Sequence, residues 1–304
     1  MYAVPTLLAA IVCVFFLMHL TPGDPIRVML GVDATEEEVD AVREKLGLDR
    51  PLLTQLLYFL RNVARGDLGE SIYFRLPVLS LLLSRLGATV ELAGVALLIA
   101  VVVAIPLGVV AAVRRYSLVD SISSMMALTG VSVPSFWLGI LLLYFFAVKW
   151  RVLPLTGRAG PPWTVEGLRH ILLPGMTLGA TLVASTTRLT RASMLEVLNQ
   201  DFMRTARAKG LREAVVIYKH GLKNALIPVV TNLGLQMGVV LGGAFLTETV
   251  FAWPGIGRLT VQAILRRDFP IIQGTTLFLA AGFVLINILV DIVYVLLDPR
   301  IRYR

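Results

Sequence analysis

The chain is short of the residues on which most soluble chemistry is built. It has one cysteine, Cys13, so it can form no disulfide within itself, and its three histidines, His19, His170 and His220, lie far apart in sequence. No Cys/His cluster has metal-ligand spacing, and no nucleophile–base arrangement suggests an enzyme. Charged residues make up only 16% of the 304 positions. No Gly-x-x-x-x-Gly-Lys-Ser/Thr stretch occurs, so the chain has no phosphate loop with which to cradle ATP. The first apolar run also lacks the basic start and small-residue cleavage site of a secretory signal, and so reads as a permanent helix.

What is abundant is apolar length. Hydrophobic residues are 57% of the chain and the mean hydropathy is +0.79, values typical of a polytopic membrane protein. Six stretches carry no Asp, Glu, Lys or Arg: 1–23, 92–113, 121–148, 171–187, 224–247 and 269–290. Each is near or above the length that crosses a ~30 Å hydrocarbon core as a helix. The reading is an all-α polytopic membrane protein with six transmembrane helices. The fourth stretch is the weakest, being short and rich in Thr and Gly.

The net charge of +8 marks orientation rather than a nucleic-acid partner. Three loops fall on one side of a six-span chain: 114–120, 188–224 and the tail 298–304. Together they hold 13 basic residues, against seven in the loops 149–170 and 251–268 opposite. The positive-inside rule makes the first side cytoplasmic, with both termini. The segment 26–86 is an extracytoplasmic insert. Within it Thr35 and Glu38 have capping-box spacing, a helix is expected through Lys45, and Pro51 opens a second helix to about Arg65.

The most informative stretch is 201–228. Ala, Arg, Met and Lys before Gly210 favour a helix, and Gly suits the position just past a helix end. A second short helix is expected from about Glu213 to His220, with Gly221 and Pro228 as further stops. Two pieces this short cannot span a bilayer, so the segment is expected to lie at the membrane surface as a two-helix knuckle. The run Thr205-Ala206-Arg207-Ala208-Lys209-Gly210, followed by Leu226-Ile227-Pro228, resembles the EAA loop of ABC-importer permeases. The family's Glu-Ala-Ala falls on Thr205-Ala206-Arg207, so the Glu is missing here. Pro22-Gly23-Asp24-Pro25, Leu153-Pro154-Leu155-Thr156-Gly157, Phe251-Ala252-Trp253-Pro254-Gly255-Ile256-Gly257-Arg258 and Asp298-Pro299-Arg300 fall in the order typical of one subfamily. It is the peptide-type subfamily, which imports dipeptides, oligopeptides, glutathione or nickel.

That resemblance covers nearly the whole chain and implies one permease subunit of a type I ABC importer. It implies a first helix plus insert over 1–87, a permease domain over 88–297 with a coupling hairpin at about 200–222, and a cytoplasmic tail over 298–304. Arg204, Thr205, Ala206, Arg207, Ala208, Lys209, Gly210, Leu211 and Arg212 would then contact an ATPase. The implied partners are two cytoplasmic ABC ATPase subunits carrying ATP and magnesium, a second homologous permease and an extracytoplasmic substrate-binding protein. The setting is the lipid of a prokaryotic cell membrane.

Small and polar residues within the spans nominate the path itself. Ser132 and Ser135 flank Pro134 at an expected kink in the third span, read as a packing and flexing point or as substrate contact. Asn232 and Gln236 lie in a fifth span dense in Gly, with Glu248 at its outer end; such a helix suits an interface or pore wall. Asn287 and Asp291 lie in the last span. The competing reading is a proton-driven secondary transporter using Glu248 or Asp291. Against it, Glu91, Glu248 and Asp291 all lie toward span ends.

Overall fold

The computed structural model describes residues 3–20, 26, 34–46 and 49–297. The Pro22-Gly23-Asp24-Pro25 turn and the tail from Asp298 lie outside them. Among the described residues the regular elements are all helices, with an isolated β-bridge between Glu70 and Pro77. It divides into two compact units.

The first unit contains Met1–Ala88 and Gly255–Val284. Its helices are α1 (Ala3–Leu20), α2 (Glu36–Leu46), α3 (Leu52–Ala64), the start of α4 (Val78–Val113), α11 (Ile256–Arg266) and the first part of α12 (Phe269–Leu297). The capping box at the start of α2 is present. The Glu38 amide donates to Thr35 Oγ1, and the Thr35 amide donates back to Glu38 at 3.0 Å. Pro51 precedes α3 and Arg65 closes it, as the sequence leads one to expect. Phe15 of α1 meets Phe59 of α3 with centroids 5.9 Å apart. Val78, Leu82, Ile256, Leu259, Ala263 and Ile271 form the core. Buried Asp268 ties this unit together: it accepts the Ser71 hydroxyl and the Tyr73 amide while its own chain turns from α11 into α12.

The second unit contains Thr89–Pro254 and Leu285–Arg304. Its helices are the rest of α4, α5 (Leu118–Ser132), α6 (Ser135–Leu142) running into a π-helical turn Leu143–Lys149, and α7 (Val165–Leu198). They are followed by α8 (Asp201–Ala208), a π-helical stretch Val215–Leu222 continuing into α9 (Lys223–Gly243), and α10 (Phe245–Val250). The long α7 is its backbone. A Cβ on Gly179 would meet the Ala96 carbonyl of α4 at 3.2 Å, and one on Gly130 of α5 would meet Ala184 at 2.8 Å. Small residues let these helices touch along their backbones, the packing that apolar surroundings favour.

Among the described residues, two helices, Val78–Val113 and Phe269–Val290, are long and apolar enough to cross a membrane. Helix α4 is ~54 Å long at 1.5 Å per residue, so it exceeds a ~30 Å core, and it begins at Val78, well before the uncharged stretch 92–113. The third apolar stretch departs from expectation. Instead of a kink, the helix stops at Ser132 and restarts at Ser135, with Val133 (ψ 124°) and Pro134 (ψ 131°) extended. Proline disfavours the helical conformation in the residue before it, and here that preference is expressed as a stop. Pro106, Pro174 and Pro228, by contrast, all lie inside continuous helices.

Candidate functional site

The segment from Asp201 to Arg212 is built as a helix, a tight turn and a short extended link. Helix α8 has a single buried stripe: Met203 and Ala206, three residues apart, sit in a core with Val109, Met194 and Val216. Gly221 packs beneath it, where a Cβ would stand 3.3 Å from the end of Met203. The remaining positions of α8 and the turn face outward. Arg204, Thr205, Arg207, Ala208, Lys209, Gly210, Leu211 and Arg212 are all exposed. Gly210 has φ +73°, the left-handed conformation that ends helices, and its amide donates to the Arg207 carbonyl at 2.9 Å.

Two expectations about this segment are corrected. Gly221 and Pro228 do not end a second short helix, because the chain from Glu213 is helical without interruption into α9. The π-helical turns 215–222 absorb the register change, as such bulges do. Ala206 does not face outward; it is 7% exposed and holds α8 against its own core.

The exposed face is basic and apolar together. Arg207 forks onto Glu213 across the turn, with Nη2 donating at 3.0 Å. That partner raises the Arg207 guanidinium above its ordinary pKa and fixes it in place. Arg204 is 77% exposed and reaches Asp201 at 3.7 Å. Phe202 (39%) and Leu211 (40%) add apolar area beside the arginines, and aromatic residues and arginine are enriched where proteins grip one another. Sequence reasoning missed Phe202 and Glu213, since neither belongs to the resembled run.

Behind this face, Asp120 at the start of α5 joins Arg191 of α7. Nη2 donates to Oδ2 at 2.9 Å, and the Tyr116 amide donates to the same oxygen. The Arg191 bond and then that amide pull the Asp120 carboxyl down from 3.8 to about 2.

The path candidates are dispersed. Ser132 and Ser135 stand on either side of the break between α5 and α6, exposed and half-buried respectively. Asn232 is half-buried on α9, and Gln236, one turn further, accepts the Ser185 hydroxyl of α7 at 2.8 Å. Glu248 is placed differently: it is fully buried on α10 and accepts the Thr89 hydroxyl of α4 at 2.7 Å. Glu91 is held by Arg158 in a two-bond fork at 2.8 and 2.7 Å. Of the three acids near span ends, two are therefore committed to partners; the side chain of Asp291 lies outside the described residues. The Asp120, Thr89 and Arg158 partnerships are long-range in sequence and had no local signal.

The family described as binding-protein-dependent transport system inner membrane component matches residues 104–303, and its N-terminal companion matches residues 1–93. The glutathione transport system permease protein GsiC of Pectobacterium atrosepticum is 45% identical over 99% of this chain and 96% of its own length. The dipeptide transport system permease protein DppB of Escherichia coli is 41% identical over the same shares. Among solved structures, the inward-facing MetNI methionine ABC transporter shares the fold, with a TM-score of 0.58 and 18% identity. The match covers 72% of this chain and 96% of that one.

Proposed function

Since the chain belongs to the binding-protein-dependent transport system inner membrane component family, we propose that it forms half of an ATP-driven import path for short peptides or glutathione. The observation that carries this is similarity over 99% of the chain to permeases named for those two substrates. The peptide-type ABC importer is thus the class, and the inner membrane is the location of the family.

The finer reading places six spans in the membrane, with both termini and the 200–222 hairpin in the cytoplasm. Residues 88–297 act as the permease domain. Two ATPase subunits, carrying ATP and magnesium, grip the hairpin; a second permease completes the path, and a binding protein delivers substrate from outside. Phe202 and Leu211 enter a groove on the ATPase, and Arg204, Lys209 and Arg212 meet its acidic rim. ATPase closure then moves α8, and the buried Met203–Ala206 stripe passes the movement to α7 and α9. Ser132, Ser135, Asn232 and Gln236 supply hydroxyl and amide groups to the path. Glu248, enclosed beside Thr89, supports the wall instead.

Proton coupling is not favoured, because Glu91 is ion-paired and Glu248 is enclosed in this arrangement. The deciding experiment isolates the tagged chain from its own membrane in mild detergent and reconstitutes what accompanies it. Recovery of an ATPase pair and a second permease, with glutathione or dipeptide uptake that needs internal ATP and ignores ionophores, supports the proposal. A chain that purifies alone and drives ionophore-sensitive uptake without ATP overturns it.

A further inference from the structure

Helices α4, α5 and α7 of the second unit enclose a cleft of about 510 Å³, open along one side. Its walls are almost wholly apolar: Val103 and Leu107 come from α4, Ile122 and Met126 from α5, Met176 and Ala180 from α7. Along α7 the cleft runs from Met176 to Thr187, roughly 16 Å at 1.5 Å per residue. That is about half of a ~30 Å hydrocarbon core, the depth of one leaflet.

Beyond one end of the cleft its helices carry arginines. The α7 stripe Met176, Ala180, Thr187 leads on to Arg188 and Arg191. The α4 stripe Val103, Leu107 leads after two turns to Arg114, whose amide still donates to the Val110 carbonyl at 2.9 Å and so keeps helical register. Arg114 and Arg188 are exposed, and among the described residues neither joins an ion pair. Asp120, the carboxylate at this end, is already engaged by Arg191 and the Tyr116 amide.

We infer that this cleft holds an acyl chain of an anionic phospholipid, its phosphate set against Arg114 and Arg188. The inference rests on the membrane placement proposed above but not on the transported substrate or the ATPase. A helix of a neighbouring permease would call for a groove through the full core and would leave the two guanidiniums without a counter-charge. Half-depth with arginines beyond one end fits a lipid.

The test uses the full chain in vesicles of phosphatidylcholine with a tryptophan reporter in the cleft, Met126→Trp. Increasing fractions of phosphatidylglycerol or phosphatidylcholine with brominated chains are added, and the four native tryptophans are corrected for with the parent chain. The reporter is expected to reach half-quenching at a phosphatidylglycerol fraction at least about fivefold lower than the phosphatidylcholine fraction, since each arginine near an anionic surface contributes on that order. Arg114→Gln with Arg188→Gln should bring the two lipids level. Ala180→Phe, which fills the cleft, should abolish quenching by both. Ile122→Trp is the second reporter if the first fails to fold. Equal quenching by both lipids in the parent background overturns the headgroup assignment. No quenching by either shows the cleft to be covered by protein or outside the bilayer, and overturns the inference as a whole.

Discussion

Thr89 of α4 donates its hydroxyl to the carboxylate of Glu248 on α10 at 2.7 Å, with both residues buried and 159 positions apart in sequence. A carboxylate enclosed in this way is part of the packing. Thr89→Val removes a donor to a buried acid and should cost about 1–3 kcal/mol, read as a lower melting temperature in detergent. Uptake per folded molecule should persist in Thr89→Val and in Glu248→Gln. If Glu248→Gln abolishes uptake at unchanged stability, the acid takes part in transport and the structural role is wrong.

Asp120 is expected to give the chain an acid-sensitive stability. Its carboxyl is depressed in the fold to about 2 from 3.8, first by the Arg191 hydrogen bond. The contribution is therefore fully present above about pH 4 and is lost as pH falls toward 2, because protonation removes the partner charge. Melting curves of the parent and Asp120→Asn, taken in detergent from pH 6 to pH 2.5, should converge at the acid end. A constant gap between the two across that range contradicts the assignment.

Thr190 offers a stabilising substitution. Its hydroxyl is buried and has no hydrogen-bond partner among the described residues, and its Cβ presses against Gly108 of α4, where an added Cβ would be 2.6 Å away. Thr190→Val keeps the shape and removes the unsatisfied group, and should raise stability by roughly 1 kcal/mol. Gly108→Ala at the same contact should destabilise. A Thr190→Val variant that melts lower than the parent would reveal a partner for the hydroxyl.

At the 201–212 segment the proposed coupling role can be separated from folding. Arg204→Glu with Lys209→Glu changes only exposed side chains, and should leave the unfolding free energy within about 0.5 kcal/mol of the parent while reducing ATP-driven uptake at least tenfold. Ala206→Asp, on the buried stripe, should instead lower the yield of folded chain. Gly210→Ala forces a side chain into a left-handed conformation at a cost of about 1–2 kcal/mol, although nothing stands within 4 Å of the added atom. Unchanged uptake in Arg204→Glu, Lys209→Glu removes this face from the coupling proposal.

How much of this was legible beforehand depends on the range of the interaction. The capping box of Thr35 and Glu38, the start at Pro51 and the left-handed stop at Gly210 are local in sequence, and each is in place. The apolar stretches 92–113 and 269–290 fall within long helices, because uncharged length is what a helix needs to cross lipid, whereas 121–148 is broken at Val133. Yet Pro134 breaks a helix while Pro228 rides inside one, and the two prolines look alike in sequence. What differs is the backbone ahead of each: Val133 is extended, whereas the chain ahead of Pro228 is helical from Glu213 onward.

By itself, then, the amino-acid order determined the helical class, the membrane character and the family, since these follow from composition, spacing and motifs along the chain. The tertiary structure alone decided which charges are committed. Arg158 reaches Glu91 across 67 positions, Arg191 reaches Asp120 across 71, and Thr89 reaches Glu248 across 159. A carboxylate's role depends on the donors and solvent around it, and those are brought together only when distant helices pack.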